Sequence, residues 1–157
     1  MIAARLTLAA AALCAGITAA GVTTAGAKDV PPGDVKIADG KLAQPVSDAA
    51  ANAAEGRKVF ADRKLGNCLA CHANSDLSDQ LFHGEVGPPL DGVAERWSPE
   101  ELRAIVVNSK AVFGEQTVMP GFYSLDVGKD VAEDFQGKTI LTAEQVESIV
   151  AYLATLK

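Results

Sequence analysis

The chain has 157 residues, 48% of them hydrophobic and only 5% aromatic, with 20 acidic against 14 basic side chains and a formal net charge of −6. That length suits one domain around one closed core, and the acidic balance argues against nucleic acid as a partner and for a protein with a basic patch. Three cysteines, two histidines and two methionines restrict any sulfur or imidazole chemistry to very few candidates.

Residues 1–27 read as a secretory leader. A positive charge at Arg5 precedes the apolar run Leu6–Ala20, and Ala25-Gly26-Ala27 is a small-residue cleavage site. The run is short and loosens into Gly and Thr, so no membrane span is expected; cleavage is expected between Ala27 and Lys28, with an uncleaved anchor as the alternative. Cleavage removes Met1, Arg5 and Cys14. It leaves Cys68 and Cys71 as the sole cysteines, Met119 as the sole methionine, and 13 basic against 20 acidic side chains, a net charge of −7.

Residues 28–47 carry Pro31-Pro32-Gly33, Gly40 and Pro45 with little periodicity. They read as an extended N-terminal arm, either a disordered tail or a strap on a partner subunit with Val35, Ile37 and Leu42 as contacts. Residues 48–157 form the expected domain. Asp48 to Ala61 is Ala-rich and predicts a helix with Gly56, Val59 and Phe60 on its inner side. Ser98-Pro99-Glu100-Glu101 supplies an N-cap, a proline at the first helical position and a capping glutamate, ahead of the apolar stripe Leu102, Ile105 and Val106. A weaker helix is predicted from Val127 to Phe135, ended by Gly137. The last helix starts at Thr142 with Gln145 closing a second capping box, and Val146, Ile149, Val150, Leu153 and Leu156 form its apolar face. Nothing alternates with period two for long, so the fold class is all-α.

Cys68-Leu69-Ala70-Cys71-His72 is the attachment pattern for a c-type haem. Two thiols one helical turn apart suit thioether bonds to neighbouring pyrroles, and the adjacent imidazole is placed to bind iron. A zinc site needs four ligands, which neighbouring Cys71 and His72 with the distant His83 do not supply. A thioredoxin-like pair needs a βαβ setting, and a plain disulfide leaves the histidine unexplained. One covalent haem c is therefore expected, with His72 as an axial ligand. Met119 lies in Val118-Met119-Pro120-Gly121, a loop without helical periodicity, and is expected as the second axial ligand rather than as core filler. His83, the rival histidine, suits a surface or propionate-contacting role. Ligation by His and Met belongs to low-spin electron carriers.

The order of these features resembles class I cytochromes c: the haem motif near the start of the domain, Gly87-Pro88-Pro89-Leu90, a methionine loop and a closing helix. Gly56, Phe60 and Tyr152 match the usual crossing of first and last helices in that family. The resemblance implies that the Pro88 carbonyl accepts from His72, an ordinary turn being the alternative reading of that segment. Three stretches resemble more narrowly the SoxX family, the small monohaem subunits of thiosulfate-oxidising SoxAX cytochromes. They are Glu95–Arg103, Val118–Tyr123 and Phe135–Glu147, with Gly121 where alanine is expected. The stretch from Ala73 to Glu85 matches least clearly. This resemblance implies a periplasmic heterodimer with a larger SoxA-type cytochrome subunit, coupling thiosulfate oxidatively to a cysteine of a sulfur-carrier protein and passing electrons to a soluble acceptor. With no third cysteine left after leader removal, this chain has no catalytic thiol of its own, so its share is electron transfer; the alternative is a free-standing periplasmic electron carrier.

Overall fold

The computed structural model describes residues 27–126 and 128–157; the leader and its Cys14 lie outside them. Four α-helices are present among these residues: α1 (Ala53–Ala61), α2 (Val93–Arg96), α3 (Pro99–Phe113) and α4 (Ala143–Leu153). No strand forms among the described residues, and pairing is limited to the isolated bridges Asp29–Ser47 and Ala38–Lys41. No helix among them is long and apolar enough to cross a membrane.

Helix α1 starts five residues later than the composition suggests. Asn52 is extended and its side-chain oxygen accepts from the amides of Ala54 and Glu55 at 3.0 and 3.2 Å, which makes it the N-cap. The preceding residues are engaged elsewhere: the Val46 carbonyl accepts from Val30, and the Asp48 amide donates to Lys28. Helix α1 crosses α4 so closely that a Cβ on Gly56 would lie 1.9 Å from the Ser148 carbonyl oxygen. Phe60 and Tyr152 meet edge-to-face across the same crossing, with ring centroids 5.5 Å apart.

Both capping boxes form. Ser98 and Glu101 exchange backbone bonds at the start of α3, and Thr142 and Gln145 do so at the start of α4. The helix expected over Val127–Phe135 does not form as predicted; its described part contains one 3-10 turn, Glu133–Phe135, flanked by extended Ala132 and Gln136. Its apolar residues had no face to bury, as Phe135 is 64% exposed, and helix formation without tertiary packing is marginal.

The segment 28–47 is neither a free tail nor a strap lying wholly outside its own domain. Leu42 and Val46 are core residues of this chain, with Val35 and Ile37 packed against the same core. Its backbone is bonded to three separate elements. The Leu42 amide donates to the Glu100 carbonyl, Tyr123 donates its hydroxyl proton to the Val30 carbonyl, and the Val46 amide donates to the Glu147 carboxylate. That carboxylate also takes Arg103 Nε, 3.0 Å from both oxygens, while Arg103 Nη1 donates to the Leu42 carbonyl. The pair is almost buried, with 11% and 5% side-chain exposure, and it ties the segment to α3 and α4 together.

Candidate functional site

The haem-motif segment is shaped by a tight loop after α1. The Asp62 carbonyl accepts from both Leu65 and Asn67, the Gly66 amide returns to Val59, and Asn67 turns left-handed. Cys68–Ala70 then forms one 3-10 turn, with the amides of Cys71 and His72 both donating to the Cys68 carbonyl at 3.1 and 3.0 Å. A turn of this kind brings residues three apart onto one side. Cys68 and Cys71 are both partly exposed and are not joined to each other. Burial of its sulfur pushes the Cys68 thiol up to about 12.

The segment after Val86 lies along this turn because Gly87 donates to the Cys71 carbonyl and Leu90 to the Ala73 carbonyl. That register puts the Pro88 carbonyl 2.8 Å from His72 Nδ1. A carbonyl only accepts, so Nδ1 carries the proton and Nε2 keeps a lone pair for a metal. The approach requires glycine at position 87, where a Cβ would lie 2.3 Å from His72 Cε1. Arg96 braces the same segment, donating to the Pro89 and Asp91 carbonyls at 2.8 and 2.7 Å.

Met119 comes from a separate segment, the loop between α3 and the 3-10 turn Glu133–Phe135. It lines, with Cys68, Cys71, His72 and Pro88, one cavity of about 790 Å³ whose remaining wall is largely apolar, including Phe60, Trp97, Leu102, Val106, Ile149 and Leu153. The size lies within the range of cofactor sites. The donor set fits a haem: two thiols and a histidine on one turn, an imidazole with its outer nitrogen held, and a thioether, with Arg63 and Arg96 also among the lining residues. Among the described residues no three His, Cys, Asp or Glu side chains group as a bare-metal site.

His83 is not on that wall. Its Nδ1 accepts from the Asn74 amide and its Nε2 donates to the Leu77 carbonyl, so it closes the loop that follows the haem motif. The same loop holds residues that sequence reasoning passed over. Asn74, 1% exposed, donates to the Tyr152 hydroxyl, which donates to Asp76, and Asp76 also receives Arg57. The Tyr152 bond, then Arg57, hold the Asp76 carboxyl below its ordinary range; burial, then Asp76, push the Tyr152 phenol up. A polar residue this buried leaves no periodic signal.

A family model described as cytochrome c matches residues 53–157. Among curated proteins no match was found. A chain of the crystal structure of SoxXA from P. pantotrophus is 39% identical, with 83% of this chain and 99% of that one covered and a TM-score of 0.76. The c-type cytochrome SorU from Sinorhizobium meliloti is 28% identical, over 66% of this chain and 87% of that one, with a TM-score of 0.43. Ferric cytochrome c-550 from Paracoccus versutus is 22% identical, over 68% of this chain and 98% of that one, with a TM-score of 0.38.

Proposed function

Because this chain belongs to the cytochrome c family, we propose that it is the monohaem electron-transfer subunit of a SoxAX-type heterodimer working in the periplasm. The observation that carries this reading is the 39% identity to a SoxXA chain, sustained over 99% of that chain's length. In this reading Cys68 and Cys71 hold one haem c by thioether bonds, and His72 and Met119 are its axial ligands. A haem bound there supplies a one-electron couple between ferric and ferrous iron.

The chain's own residues do the positioning. The Pro88 carbonyl fixes the His72 tautomer and ring plane, which raises the basicity of the ligating nitrogen. The apolar wall formed by Trp97, Leu102 and Ile149 keeps water away, and low solvent access shifts a redox couple. Val86, Phe113, Val118 and Ile140 line the cavity yet stay 69%, 51%, 79% and 37% exposed. An exposed apolar rim of this kind suits protein contact, and we assign electron exchange to it.

The enzymatic share of the proposal is a subunit of an L-cysteine S-thiosulfotransferase. Thiosulfate and a cysteine thiolate of a sulfur-carrier protein join through a new sulfur–sulfur bond, and two electrons leave. Removal of the leader leaves this chain no cysteine beyond Cys68 and Cys71, so the catalytic thiol belongs to the larger partner, and electrons pass singly through this subunit to a soluble acceptor. The test is native purification from periplasm of cells oxidising thiosulfate. Co-elution with a larger haem protein is expected; a lone monomer would support a free-standing carrier instead.

A further inference from the structure

The methionine loop is seated on four residues near the C-terminal end of α3, Val106, Val107, Ser109 and Lys110. Asn108 leaves helical geometry (φ −153°, ψ 89°), and just before that break the Val106 and Val107 carbonyls accept from the amides of Phe122 and Tyr123, both at 3.1 Å. These bonds fix the loop after the methionine. On its approach side, Lys110 Nζ donates to the carbonyls of Glu115 and Thr117 at 3.3 and 2.6 Å.

Between these anchors lies the peptide joining Met119 to Pro120, which has no N–H and can be held only through the Met119 carbonyl. Ser109 Oγ lies 2.5 Å from that oxygen and 3.4 Å from the Pro120 carbonyl. A hydroxyl has one proton to donate, and the shorter contact takes it. Ser109 is 0% exposed, so water does not compete for the bond while the loop is seated.

We propose that Ser109, with Lys110 beside it, is a positioning residue that sets how firmly the Met119 thioether resists displacement by an outside ligand. The proposal rests on Met119 being an axial ligand. Any competitor must move Met119 away, and a loop still tied through its carbonyl at Ser109 opposes that movement. Removing the hydroxyl takes away one buried neutral hydrogen bond, which corresponds to about a fivefold change in a competing equilibrium.

The experiment titrates the ferric, haem-loaded protein with imidazole and follows the sulfur-to-iron charge-transfer band. Ser109→Ala is expected to retain the band at rest but lose it at about fivefold lower imidazole, and Lys110→Met to shift the same way by less. Ser148→Ala removes an equally buried hydroxyl at the α1–α4 crossing, where it accepts from the Asn52 amide. It is expected to lower thermal stability and leave the titration unchanged. An unshifted Ser109→Ala titration, or an equal shift in Ser148→Ala, overturns the proposal; if Ser109→Ala does not accumulate, an unshifted Lys110→Met does so. Met119→Ala distinguishes a wrong ligand assignment from a wrong role for Ser109. Retention of the band in that variant removes the ligand assignment and the proposal together. Its loss, alongside an unshifted Ser109→Ala, removes only the proposal.

Discussion

The two walls of the cavity are built in opposite ways. The wall carrying Cys68, Cys71 and His72 is held by short backbone bonds between neighbouring stretches, with Gly87 donating to Cys71 and the Pro88 carbonyl on His72. The Met119 wall hangs on a broken helix, and that helix is fixed from behind by Arg103, Glu147 and a segment some hundred residues upstream of Glu147. One wall therefore depends on close backbone approach and tolerates no added atom. The other depends on side-chain anchors, each of which can be loosened separately.

The sharpest way to break this contrast is Gly87→Ala. The new methyl would occupy the His72 ring, and the expected outcome is loss of most haem-loaded protein, read as haem absorbance per total protein; a normal yield would show that the first wall yields after all. Next in size is Arg103→Met, which strips the nearly buried Glu147 of its partner. Loss of one member of such a pair costs about 3–5 kcal/mol, to be read from denaturant unfolding, and a change below about 1 kcal/mol, as for a surface pair, would remove this anchor from the account. Met119→Ala is expected to spare most of the stability while opening the sixth iron position. The reduced variant should bind carbon monoxide and the parent should not, whereas binding by the parent would favour a ligand-binding or enzymatic haem.

The smallest effect concerns the support behind the first wall. Tyr152 and Arg57 keep the Asp76 carboxyl depressed, so its contribution is present above the ordinary aspartate value of about 4 and is lost as pH falls below it toward the folded value. Asp76→Asn should flatten that acid limb of Tm against pH. Because Arg57 and Asp76 are both partly exposed, the change is expected to be slight, and an unchanged acid slope would remove Asp76 from the support.

The turn Cys68-Leu69-Ala70-Cys71-His72 was legible in the sequence because its parts are adjacent, whereas the Pro88 carbonyl on His72, sixteen residues away, was implied only by the resemblance to class I cytochromes c. The two capping boxes were legible for the same reason, each being a contact three residues long. The segment 28–47 was not. Its few apolar residues, Leu42 and Val46, have no period, and what fixes them is a carboxylate at Glu147 that local patterning does not connect to them. The seat of the Met119 loop was hidden because the polar run Asn108, Ser109 and Lys110 carries no local signal of the helix break at Asn108 or of the bonds made by Ser109 and Lys110. The reverse error occurred at Val127–Phe135, where a weaker helix ended by Gly137 was expected but Phe135 is left largely exposed.

Haem absorbance in the assembled system tests directly whether this chain is a relay whose sulfur chemistry happens elsewhere. With the larger subunit, the sulfur-carrier protein and thiosulfate all present, this haem is expected to become reduced, and omission of any one should leave it oxidised. Equal reduction of the isolated subunit by thiosulfate alone would contradict the relay.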